Sequence, residues 1–117
     1  MNLDTAVQTH ALWKTKLRTA ISRHEQMDLV TLSRDDRCEL GIWLHGEGKA
    51  HFGQHASHSD CIRKHLEFHT EVTKVAKAVN AQQFMVAENM LNAGTPYAKA
   101  SSALSVSFMQ LRKAAGI

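Results

Sequence analysis

"CIRKHLEFHTEVTKVAKAVN", residues Cys61–Asn80, decides how this chain folds. Its apolar and weakly polar positions, Cys61, His65, Phe68, Val72, Val75 and Val79, recur at intervals of four, three, four, three and four. That spacing follows the 3.6-residue turn and predicts a helix with one buried stripe. A strand would alternate every second residue, and this stretch does not. One member of the stripe, His65, is a histidine, which a purely apolar core would not choose. Asn80 is the expected break.

The flanking segments repeat the helical pattern. Leu3, Ala6, His10, Trp13, Leu17 and Ala20 form a second stripe, again with a histidine among small or apolar residues. A short helix is expected over "RCELGIWLHG", with "SRDD" offering N-cap candidates and Gly46 as its stop. "GEGKAHFGQHAS" reads as a loop because it holds three of the chain's six glycines. A helix from near Ala81 would bury Phe84, Ala87 and Leu91. "GTP" at Gly94–Pro96 then stops or kinks it, with Thr95 as cap and Pro96 in the first helical turn. The last helix presents Tyr97, Ser101, Leu104, Phe108 and Leu111 on one face. The fold class is therefore all-α: a bundle of about four main antiparallel helices plus a short helix carrying Cys38. One domain over residues 1–117, able to stand alone, is expected from the length.

Composition narrows the function classes. The net charge of +3 raises nucleic-acid binding. However, Lys14, Lys16, Arg18, Arg23, Arg63, Lys64, Lys74 and Lys77 are spread over solvated helix faces, without interleaved aromatics. No apolar run reaches the roughly 18 to 20 residues of a membrane span. The first residues lack the basic-then-apolar pattern of a signal peptide, so a cytoplasmic location is expected. Eight histidines are many for 117 residues, and two cysteines in such a chain suit ligands or redox thiols better than a structural disulfide.

Cys61, His65 and His69 fall on one helix face at intervals of four. A four-residue step rises about 6 Å, so the outer two start about 12 Å apart. Zinc ligand atoms lie only about 2.0–2.3 Å from the metal. One ion can therefore take Cys61 with His65, or His65 with His69, but hardly all three. Histidine pairs at this spacing are common without metal. His10 and Cys38 add weight, because several imidazoles facing one small core need partners.

Three blocks then carry a resemblance. "HALW" at His10–Trp13, "CELGIW" at Cys38–Trp43 and "HLEFH" at His65–His69 resemble, in order and spacing, the chemoreceptor zinc-binding domain. "GTPYAKAS" in the last third also resembles family sequence, so the likeness extends over essentially the whole chain. The resemblance implies one zinc ion per chain held by His10, Cys38, His65 and His69, with Trp13, Leu40, Gly41 and Trp43 at packing positions around it. It further implies a bacterial, non-enzymatic regulatory domain, often a homodimer. Its expected partner is a cytoplasmic signalling protein such as a chemoreceptor or a diguanylate cyclase. Family members are linked to sensing hypochlorous acid through the zinc–cysteine pair, which makes Cys38 the expected redox-reactive residue.

One thiolate and three neutral imidazoles suit tetrahedral zinc and leave no position for catalytic water. Cys61 lies outside the family's ligand positions. It reads as a core cysteine, or as a second thiol that pairs with Cys38 after oxidation or substitutes as a ligand. His51, His55 and His58 read as loop residues or a weak approach site for metal. Two other functions stand beside this one. One is a structural, zinc-stabilised helical protein acting as a dimer or interaction module. The other, a di-iron bundle, needs Glu-x-x-His motifs, and the sequence has none.

Overall fold

The computed structural model describes residues 3–117, and the side chains of all of these except Leu3, Ala6 and Val7. Its elements are α1 (Leu3–Ala11), α2 (Trp13–Arg23), α3 (Leu29–Ser33), α4 (Glu39–His45), α5 (Glu47–Phe52), α6 (Ala56–Asn80), α7 (Phe84–Met90) and α8 (Pro96–Ala115). The described residues contain no strand. The fold class is the expected all-α bundle.

α6 is the spine. Its 25 residues rise about 37 Å, close to the 43 Å long axis of the molecule. Every member of the predicted stripe, from Cys61 to Val79, is buried. α8 packs along it in the opposite direction, since Cys61 meets Ser107 and Phe68 meets Tyr97. α1 and α2, against the expected antiparallel arrangement, run the same way as α6: His10 lies beside His65, and Met27 lies beside Asn80. Parallel neighbours need a return path, and the three short helices α3 to α5 supply it.

Local chemistry sets the boundaries. α2 ends at His24, whose left-handed backbone (φ 54°) returns its N–H to the Ala20 and Ile21 carbonyls. The Asp28 carboxylate caps α3 by accepting from the Val30 and Thr31 N–H groups. Asn80 closes α6 as expected, and its side chain clamps the turn after α2. Its Oδ1 accepts from the Met27 N–H at 2.7 Å, and its Nδ2 donates to the Met27 carbonyl at 2.9 Å. Thr95 is the N-cap of α8, with Pro96 in the first turn, so "GTP" separates two helices.

Four expectations are refined. The glycine-rich stretch is not all loop, because Glu47–Phe52 forms α5. Gly48 lies directly under the Trp43 ring, where a Cβ would stand only 2.9 Å from ring carbons, so the glycine serves close packing there. α6 starts at Ala56, with neither Ser57 nor Ser59 as its cap. α7 is a short helix that starts at Phe84, after a left-handed Gln82 (φ 62°). Of the predicted Leu3–Ala20 stripe, His10, Leu17 and Ala20 are buried, Trp13 is half-buried, and the side chains of Leu3 and Ala6 lie outside the described residues.

Candidate metal centre

Three separate segments deliver four metal-ligand side chains to one point. His10 comes from the last turn of α1, Cys38 from the residue that caps α4, and His65 and His69 from successive turns of α6. Their ligand atoms all lie within 4.8 Å of one another, and no other group of three or more such side chains occurs among the described residues.

Five of the six pairwise distances lie close to those around one tetrahedral ion. His65 Nε2 is 3.1 Å from His10 Nε2, from His69 Nε2 and from Cys38 Sγ. Cys38 Sγ is 3.7 Å from His10 Nε2 and 3.6 Å from His69 Nε2. Zinc bonded to nitrogen at about 2.0–2.1 Å and to sulfur at about 2.3 Å places its ligand atoms roughly 3.3–3.6 Å apart. The rise along α6, which left two ligand pairs open, is resolved by geometry in favour of His65 with His69.

Proton bookkeeping points the same way. His69 Nδ1 lies 3.1 Å from the Leu32 carbonyl and donates to it, so its Nε2 offers a lone pair to the cluster. His65 Nε2 has three neighbours within 3.1 Å but carries at most one proton as a neutral imidazole. Three imidazole nitrogens and one sulfur converge on this point, and a divalent cation is the species that satisfies all four together. Burial also favours the neutral form of the His65 and His69 rings, as metal ligation requires. Desolvation, aided by His69 and His10, pushes His65 down to about 2. Desolvation lowers His69 as well. Burial raises the Cys38 thiol, opposed by the N–H groups of the α4 terminus, so a bound metal is what would hold it as thiolate.

The α4 terminus is built around that sulfur. Cys38 takes an extended backbone as N-cap and accepts the Gly41 N–H at 3.4 Å. Gly41 has no room for a side chain, because the Asp35 carbonyl occupies the space where its Cβ would stand and His65 Cε1 is 3.1 Å from that point. Leu40 points into the core. Trp13 is half-buried beneath the Lys16 ammonium, 4.8 Å from its ring centre. Trp43 packs on Phe52 and Gly48, on the side of α4 that meets α5. Of the four expected packing residues, Gly41 and Leu40 are therefore the ones built into the site itself.

The remaining candidates lie elsewhere. Cys61 is fully buried between α6 and α8 against Ser107, outside the cluster, and burial pushes its thiol up to about 11. His58 is buried and donates Nε2–H to the Leu44 carbonyl at 2.8 Å, tying α4 to α6. His51 sits on α5 and His55 caps α6, so none of these three reaches the metal cluster. Two contributors escaped the sequence reading: the Leu32 carbonyl that orients His69, and the Asp35 carbonyl that packs on Gly41. Backbone carbonyls carry no sequence signal, although the Asp28 cap marks the turn that positions Leu32.

Comparison with known proteins agrees with this geometry. No curated protein and no solved structure matches the chain. The family description "Chemoreceptor zinc-binding domain" matches residues 10–76, more than half of the chain and a span that opens on His10 and contains all four clustered side chains. The chain belongs to the chemoreceptor zinc-binding domain family.

Proposed function

We propose that this chain is a zinc-binding regulatory module that signals to a partner through metal occupancy or oxidation of Cys38. The observation that carries this reading is the origin of the four ligands. They come from α1, the α4 terminus and α6, so ligation ties together three elements that the chain brings in from separate directions. His10, Cys38, His65 and His69 hold the ion; bound there, zinc supplies a fixed divalent charge that pins their geometry. Four protein ligands fill a tetrahedral sphere, which supports a non-catalytic role.

Cys38 gives the module its redox arm. It is the single sulfur of the set and is half-buried, whereas the imidazoles are buried. Two-electron oxidation of its thiolate by hypochlorous acid forms a sulfur–oxygen bond, with chlorine leaving as chloride. The resulting sulfenic acid is a poorer donor, which weakens the grip of the site. Cys61 has no comparable exposure and serves as a core residue in this reading.

The partner would be a cytoplasmic signalling protein of the chemoreceptor or diguanylate cyclase type, with the module acting as a homodimer. Val106 and Met109 are exposed one turn apart on α8, and they give a second copy an apolar strip to cover. A second reading, in which zinc only holds the bundle together, is favoured by the deep burial of the three histidines.

One experiment separates the two readings. Protein purified without added metal is analysed for zinc, then titrated with chelators of graded affinity while helicity and self-association are followed. About one zinc per chain, exchanged with helicity kept and association altered, supports regulation. Unfolding at the same chelator strength that removes the metal supports the structural reading. Absence of zinc would overturn both.

A further inference from the structure

Beside the metal cluster, a cavity of about 80 Å³ opens between α1 and α8. Its floor is apolar: Leu40, Phe68, Leu104 and Phe108, all buried. One wall is the His10 ring, and the rim carries the hydroxyl-bearing Ser101 and Ser105 of α8. His10 is thus shared, with its Nε2 turned toward the metal cluster while its ring walls the cavity.

The chemistry of the lining selects an occupant. Water needs two to four polar partners, and it would find them only at the Ser101 and Ser105 rim, so the apolar floor favours an alkyl group. An ion would be left without a counter-charge over that floor. A cavity of about 150 Å³ accommodates benzene, so about half that volume takes a molecule of about three or four non-hydrogen atoms. We propose that this cavity is a binding site for a small neutral amphiphile of the short-chain alcohol class. Its alkyl end lies on Phe68 and Phe108, and its hydroxyl faces Ser101 and Ser105. Because His10 serves both sites, occupancy of the cavity and retention of the metal are linked, and linkage acts in both directions. The cavity rests on the geometry alone; the link to metal also rests on the zinc reading above.

The test uses the full zinc-loaded chain with methyl-labelled leucine and valine, titrated with 2-propanol and followed by NMR. The Leu40 and Leu104 methyls shift saturably, with half-saturation in about the millimolar range expected for so few atoms, while the exposed Val30 methyls drift linearly. Ser105→Phe, placed on an exposed position to plug the mouth, abolishes the saturable shift; Ser101→Leu is the second plug if the first fails to fold. Linear drift at every methyl, or saturation that survives both plugs, overturns the site. The second arm measures zinc loss to excess chelator with and without 2-propanol. A changed rate in the unplugged protein alone supports the link, and an unchanged rate overturns the link while leaving the binding result standing. Should the purified protein hold no zinc, the link falls and the titration, run on the same sample, still decides the cavity.

Discussion

The Asp35 carbonyl fills the position that a Cβ on Gly41 would need, and Gly41 in turn points its N–H at Cys38 Sγ from 3.4 Å. The absent side chain lets the chain before α4 fold tightly over the helix it caps. That close approach is what brings the Cys38 sulfur to the imidazoles of α6.

Gly41→Ala is therefore expected to act on both packing and metal. Forcing the added methyl against a backbone carbonyl costs about 1–3 kcal/mol, the usual range for overpacking. Urea denaturation of the zinc-loaded variant measures the loss, and zinc content should fall with it. Equal stability and equal zinc content would show that the loop can move aside freely.

Substitution of the ligands separates them from their neighbours. Cys38→Ala and His65→Ala should each lose most of the zinc found by elemental analysis. Cys61→Ala should keep it, although removing a fully buried side chain from the α6–α8 interface costs about 1–2 kcal/mol. Zinc lost in Cys61→Ala but kept in Cys38→Ala would reverse the assignment.

The two thiols should differ in reactivity. With the metal chelated, iodoacetamide at pH 8 is expected to label Cys38 and spare Cys61, which is fully buried and whose thiol is pushed up to about 11 by burial. The same shift fixes a pH dependence. The folded value lies above the unfolded 9.0, so the neutral thiol is favoured by folding. This contribution is fully present below pH 9 and is lost as pH rises toward 11. Denaturation curves of wild type and Cys61→Ala between pH 8 and 11 test it: the variant should lose less stability across that window.

Asn80→Ala should destabilise the bundle without touching the metal. The side chain makes two hydrogen bonds with the backbone of Met27. At about 1 kcal/mol each, with further cost if either backbone group is left unpaired, the loss is about 2–3 kcal/mol. Zinc stoichiometry should be unchanged.

What the sequence by itself determined was the helical architecture and the identity of the clustered residues. The Cys61–Val79 stripe has the helical period, and all of it is buried in the structure. Thr95–Pro96 starts α8, and Asn80 ends α6, where their side-chain chemistry says they should. His10, Cys38, His65 and His69 could be paired across distant blocks because each block kept its own motif and spacing. Only the tertiary structure decided the rest, since those features depend on contacts between segments far apart in the chain. α5 forms in a glycine-rich stretch because Gly48 fits beneath Trp43. His69 is aimed by a carbonyl 37 positions away, at Leu32. Cys61 sits one helical turn before a ligand, yet stays out of the metal cluster because its thiol lies against Ser107 of α8. Helical periodicity fixes which residues share a face, but the neighbour that covers the face determines what each of them does.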